Sequence, residues 1–286
     1  MRRCTILAAA LLCAQGCAIA SASRTIVPLP RRSIAASPMG SHRVAVLAGD
    51  ARAKAVYVID ISHDAVVFSF GVDKETTGLT ALSDEGPLLL SVGGTKGAPG
   101  SGAIERWTID GTRTGDLPLP APGLALTQRV GHVAYVLIGK GHARAAVPIN
   151  TFPFFLMRPI PLEADVNALA QCHFSDEGSF LLYSTANRKL AARNLATGRI
   201  VRSDIAALAP ACIDGVNSAY AIARTSSTAN AIVLSVPNLS QTSALPLSLD
   251  AIALYGTVDH RLMVINSSRR VATAEILPRA EVEKGP

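Results

Sequence analysis

Apolar residues along this chain fall into short runs, each closed within a few positions by Gly, Pro, Asn, Asp or Ser, and helical spacing is almost absent. Two kinds of run alternate. Arg43-Val44-Ala45-Val46-Leu47-Ala48 and Arg261-Leu262-Met263-Val264-Ile265 are continuously apolar, the pattern of a strand covered on both faces. Val67-Phe68-Ser69-Phe70 and Ile200-Val201-Arg202-Ser203 interpose polar residues, the pattern of a strand with one wet face. Small and β-branched residues fill both kinds, and 22 Gly with 17 Pro supply many turns. The pattern predicts an all-β chain of many short strands.

The runs also repeat. Ala81-Leu82-Ser83-Asp84-Glu85-Gly86-Pro87-Leu88-Leu89-Leu90-Ser91 returns two repeat lengths later as His173-Phe174-Ser175-Asp176-Glu177-Gly178-Ser179-Phe180-Leu181-Leu182-Tyr183-Ser184. Between them lies Arg129-Val130-Gly131-His132, and outside them Ser37-Pro38-Met39-Gly40, Asp214-Gly215-Val216-Asn217 and Thr257-Val258-Asp259-His260, each leading into an apolar run. That makes six turn-plus-strand units at the period of a propeller blade. A second marker closes each unit with an apolar, often Pro-containing segment: Val67 to Phe70, Leu117 to Pro120, Pro159 to Leu162, Ile200 to Ser203 and Leu245 to Ser248. Proline is tolerated on an outermost strand because one edge has no hydrogen-bonded neighbour. The sixth marker is missing at the C-terminal end and stands near the start instead, as Ile26-Val27-Pro28-Leu29-Pro30. The arrangement predicts a ring in which the N-terminal strand completes the last blade and removes the open edges.

These units resemble the WD40-like, YVTN-type propeller superfamily over residues 25–277. Ser37-Pro38-Met39-Gly40 and the two Ser-Asp-Glu-Gly turns match its turn between the first two strands. Val56-Tyr57-Val58-Ile59-Asp60 and Trp107-Thr108-Ile109-Asp110 match a later strand that ends in Asp before a turn. No Trp-Asp pair ends a blade, and the strict Tyr-Val-Thr-Asn string is absent. The resemblance implies architecture rather than activity: a six-bladed β-propeller, with seven blades the alternative count.

The first 22 residues read as an address. Arg2 and Arg3 precede the apolar run Thr5 to Ala14, which is too short to span a bilayer, so a signal peptide is expected over 1–22. Ala18-Ile19-Ala20 and Ala20-Ser21-Ala22 suit an ordinary signal peptidase, whereas Ala14-Gln15-Gly16-Cys17 resembles a degenerate lipoprotein box with Cys17 as the acylated residue. The propeller is then expected over 23–277 and a charged tail over 278–286, in a periplasmic, secreted or membrane-anchored protein. Removing the leader takes away two arginines and no acid, which leaves a mildly basic chain from a starting net charge of +6. Clustered Lys/Arg interleaved with stacking aromatics is missing, which argues against nucleic acid as partner.

Two cysteines survive the leader. Cys172 and Cys212 each stand eight residues before an aromatic, Phe180 and Tyr220, so they take equivalent places in adjacent blades. In an oxidising compartment they pair as a disulfide; the alternative is two thiols packed as small hydrophobes. Two lone cysteines fit no zinc spacing, and neither metal nor cofactor is expected. Metalloprotease, nucleophile-elbow, Cys-x-x-Cys and EF-hand patterns are absent. Gly93-Gly94-Thr95-Lys96-Gly97 lacks the Lys-Ser/Thr ending of a phosphate loop. His173, beside Cys172, is expected in the core or along the channel, and Trp107 between blades.

The repeat alignment brings out one constellation. The loops between second and third strands carry Arg52 and Lys54, Lys96, Lys140 and Arg144, Arg188 and Lys189, Arg224, and Arg269 and Arg270. In a propeller these loops share one face with the blade-to-blade loops, which contribute Asp73, Glu75, Glu163, Asp165, Asp204 and Asp250. The expected function is a non-catalytic binding or scaffold protein of the bacterial envelope, presenting that face to a protein or an anionic surface. The alternative is a lactonase- or sugar-hydrolase-like enzyme holding a divalent cation in the channel, with Asp165, Asn167, Asp214 and Asp250 as candidate ligands.

Overall fold

The computed structural model describes residues 24–94, 102–174, 178–213, 218–236, 238–268 and 271–278. The chain enters on β1 (Thr25–Leu29) and then builds six antiparallel sheets in sequence order. Blade one is β2 (Ser33–Met39), β3 (Arg43–Gly49), β4 (Lys54–Asp60) and β5 (Ala65–Val72); blade two is β6 (Thr76–Ala81), β7 (Leu88–Val92), β8 (Ala103–Trp107) and β9 (Arg113–Pro118). Blade three is β10 (Gly123–Leu126), β11 (Val133–Lys140) and β12 (Ala143–Thr151), with β13 (Phe154–Leu156) and β14 (Ile160–Leu162) both along the edge of β12. Blade four is β15 (Val166–Phe174), β16 (Gly178–Thr185), β17 (Lys189–Asn194) and β18 (Ile200–Ala206). Blade five is β19 (Leu208–Cys212), β20 (Ser218–Arg224), β21 (Ala229–Ser235) and β22 (Ser240–Leu247). Blade six is β23 (Ala251–Gly256), β24 (Leu262–Ser267) and β25 (Ala272–Leu277), completed by β1.

The fold is a six-bladed β-propeller closed as the sequence predicts. β1 runs antiparallel to β25, with Val27 opposite Ala274, and buries Val27 and Leu29 at the junction of blades six and one. Alternation explains why the second strands are continuously apolar. Successive side chains of a strand point to opposite faces, so Val136 and Ile138 of β11 pack with blade two while Tyr135 and Leu137 pack with blade four. Each blade interface holds a hydrophobic cluster of this kind. Outermost strands have one neighbour and water beyond, and β18 accordingly alternates exposed with half-buried residues. Trp107 lies between blades, stacked on Phe70 of blade one at 5.4 Å between ring centroids.

Blade three departs from the pattern because its outer strand is broken. Pro148 in β12 has no N–H to donate to the outer strand, and Pro159, just before pairing resumes, has none either. The ladder therefore stops after Leu156, Met157 donates its N–H to the Pro148 carbonyl at 2.8 Å, and pairing resumes at Ile160.

Cys172 on β15 and Cys212 on β19 form a disulfide between the innermost strands of blades four and five, with Cα atoms 5.3 Å apart. Their places differ by one register step: Cys172 lies across from Phe180, whereas Cys212 lies across from Ala219, the residue before Tyr220. His173 is not a core residue. It is exposed near the end of β15, 3.0 Å from the Ser179 hydroxyl. The expected signal peptide with Cys17, most of the tail, and Lys96, Asp214, Arg269 and Arg270 lie outside the described residues.

Candidate interaction face

Up-and-down blades place the loops between second and third strands, and those leading from blade to blade, at one end of the ring. This loop face begins at the innermost strands, and all six bulge at the same place. The register shifts fall between Ser33 and Ala35, Thr76 and Gly78, Gly123 and Ala125, Val166 and Ala168, Leu208 and Ala211, and Ala251 and Ala253. A bulge leaves an extra residue unpaired and bends the strand, so the first residue of each innermost strand turns toward the neighbouring blade.

Three of the cations expected on this face are spent on that junction. The Lys54 ammonium donates to the Thr76 carbonyl at 2.6 Å, Arg144 Nε donates to the Val166 carbonyl at 3.1 Å, and Arg224 donates to the Ala251 carbonyl. Each acceptor is the first residue of the next blade's innermost strand. The cations thus clasp blades one to two, three to four and five to six. At the junction of blades two and three a neutral group does the same work, the Thr77 hydroxyl donating to the Gly123 carbonyl at 2.9 Å. Arg52, Lys140, Arg188 and Lys189 are the members of the expected set that stay exposed.

The carboxylates of the face divide similarly. Asp165 holds the His142 ring at 2.9 Å, Glu163 pairs with Arg202, and Asp50 pairs with Arg32. Asp50 also accepts the Arg52 and Ala53 backbone N–H groups, chiefly that of Arg52, and these hold its carboxyl below the usual range. Exposed Asp73, Asp204 and Asp250 stay on the surface. Sequence reading missed Arg31, Arg32 and Lys74, all exposed in blade-to-blade loops of this face. Their signal is their place within two residues of an innermost strand, in the blade-to-blade loops rather than in the loops inside blades.

At the opposite face, formed by the turns after the first and third strands, a contact spans the ring. Blades three and six face each other across the ring, and Gln128, just beyond β10, reaches β23 of blade six. Its Nε2 donates to the Gly256 carbonyl at 2.7 Å and its Oε1 accepts the Gly256 N–H at 3.1 Å. Gly256 is fixed there by space: a Cβ would stand 2.2 Å from the Cys212 carbonyl oxygen. Neighbouring innermost strands are tied as well, with Ala36 N–H donating to the Tyr255 hydroxyl and Ala81 N–H to the Ser37 hydroxyl. Of the candidate channel ligands, Asn167 accepts from Ser184 and Asp165 is taken by His142. Among the described residues no group of three His, Cys, Asp or Glu side chains converges as a metal cluster.

These features define a six-bladed β-propeller. Solved structures share the architecture at low sequence identity. The WD40 repeats of RRP9 align with a TM-score of 0.58 at 10% identity, covering 86% of this chain and 80% of that one. U3-55K aligns at 0.57 and 9% identity, covering 87% and 84%, and hydrazine synthase of Kuenenia stuttgartiensis at 0.61 and 11%, covering 86% and 84%. No protein-family model and no curated protein matches the chain in sequence.

Proposed function

We propose that this chain is a non-catalytic binding scaffold whose loop face receives an anionic partner, a protein or a charged surface of the bacterial envelope. The observation that carries the reading is the division of cations on that face. Lys54, Arg144 and Arg224 hold neighbouring blades together, whereas Arg52, Lys140, Arg188 and Lys189 are exposed beside them. Structural duty therefore accounts for the first group and leaves the second available to a partner. A ring of packed blades is rigid enough to present such groups in fixed positions, which lowers the entropy cost of docking. Proteins of similar architecture include the WD40 repeats of RRP9 and a chain of a mitotic checkpoint complex, and the place of the latter in an assembly supports an assembly role for this chain.

Export through the leader, with acylation at Cys17 as one of its two processing routes, belongs to the same reading. β1 starts at the turn face, so a tether ahead of Thr25 would leave the loop face directed away from the bilayer. Affinity capture from envelope extracts after mild crosslinking, with mass spectrometry of partners and of the processed N-terminus, tests both parts. A stoichiometric partner crosslinked through Arg52, Lys140 or Lys189 loops is the expected result. Crosslinks confined to the turn face would overturn it.

A further inference from the structure

The turn face carries a groove that the scaffold reading does not use. It opens between blades four and five and encloses about 330 Å³, within the usual range of small-ligand sites. Phe180, Ala192 and Val201 form its apolar floor, continuous with the hydrophobic cluster between the two blades. Phe180 lies directly across from Cys172 in the β15–β16 ladder, and Cys172 is bridged to Cys212 of blade five. The walls of the groove therefore belong to two blades that are covalently joined.

The rim is made of Asn194, Thr197, Arg199 and Asn238. Hydrogen-bond bookkeeping fixes what these groups can offer. The Asn194 Oδ1 is occupied by the Ala196 and Thr197 N–H groups, both at 2.9 Å, and the Asn238 Oδ1 accepts the Ser240 N–H at 3.1 Å and its hydroxyl at 2.9 Å. Each amide is left with its NH2, a pure donor. The Thr197 oxygen accepts the Arg199 N–H at 3.3 Å, which leaves its O–H to donate. The Arg199 guanidinium adds charged donors and no acceptor. Among the described residues no carboxylate lines the groove. A cavity with an apolar floor, a rim of donors and one positive charge is complementary to a carboxylate on an apolar body.

We propose that this groove binds a small apolar monocarboxylate, with the carboxylate on Arg199, Asn194 and Asn238 and the hydrocarbon over Phe180 and Val201. Hexanoate, with hexanamide as its uncharged counterpart, is a suitable probe pair for titration of the purified protein by isothermal calorimetry and by NMR. Saturable hexanoate binding is expected, with the largest shifts at Ala192 and Val201, and hexanamide should bind about tenfold or more weaker, the size expected of charge-assisted hydrogen bonds. Arg199→Gln should weaken hexanoate by a similar factor. Asn194→Asp is the sharper variant: aspartate keeps the acceptor that caps the turn, so the melting midpoint should hold, while an anion replaces the donor and hexanoate binding should be lost. Absence of saturable binding, equal affinity for acid and amide, or an unchanged affinity in Asn194→Asp would overturn the site.

Discussion

Gln128 illustrates how much one side chain can do when the ring brings distant residues together. It satisfies both main-chain groups of Gly256 across the channel, and Gln128→Ala would leave that N–H and C=O without partners. A loss of about 1–3 kcal/mol in chemical denaturation is expected. Gly256→Ala should cost more, because the clash is with backbone that no rotamer change relieves; equal stability of both variants with the parent would refute the transaxial contact. The tyrosines make a separate prediction about pH. Burial, reinforced by Glu163, pushes Tyr183 up to about 12, and burial raises Tyr135 and Tyr255 as well. A phenol whose folded pKa exceeds its unfolded value of about 10 contributes stability that is complete below pH ~10 and lost as pH rises through the folded values. The melting midpoint should thus hold up to about pH 10 and fall between ~10 and 12, with tyrosinate absorbance appearing later in the folded protein than in urea. Coincident titration of folded and unfolded protein would contradict this. None of these residue-level features was legible beforehand. A glutamine after a strand carries no signal of a partner half a ring away, and a lysine that opens a third strand reads as surface charge until its acceptor is known.

At the scale of the strand the sequence was far more informative, because the determinants are local. Continuous apolar runs such as Val44 to Ala48 become second strands buried between blades, and Asp60 and Asp110 end third strands by accepting turn N–H groups, as the repeat implied. Asn194 fills the same place in blade four, a chemically equivalent residue that the search for Asp passed over. The sixfold bulge and the broken outer strand of blade three were hidden: the first depends on pairing register, and the second on Pro148 of β12 falling where the outer strand's ladder breaks between Leu156 and Ile160. The disulfide was legible from two cysteines spaced alike in adjacent repeats, although their registers differ by one step. Its sequence separation of 40 residues corresponds to about 4 kcal/mol by loop-closure entropy. Reduction, or Cys172→Ala with Cys212→Ala, should lower the melting midpoint by roughly 10 °C in a domain of this size. Thiol titration of the unfolded, unreduced protein should find neither cysteine free; two free thiols would contradict the pairing.

For the whole molecule, closure depends on the first strand. β1 supplies the outer edge of blade six and places Val27 and Leu29 in the cluster shared with blade one. Deleting residues 25–31 removes burial worth about 3–6 kcal/mol, opens the edge of β25, and should depress the melting transition sharply, with partial recovery when a peptide of residues 24–31 is added. An unaffected transition would show that the ring does not rely on this strand. The closed ring fixes two faces with different chemistry, a loop face whose spare cations suit an anionic partner and a turn face bridged across the ring by Gln128. The most direct test is quantitative capture of the proposed anionic partner by the parent protein, by the combined variant Arg52→Glu, Lys140→Glu, Arg188→Glu and Lys189→Glu, and by Arg129→Glu on the turn face. Loss of capture in the combined variant, with Arg129→Glu unchanged and both folded to the same melting midpoint, is the expected result; undiminished capture by the combined variant would contradict an anionic partner on the loop face.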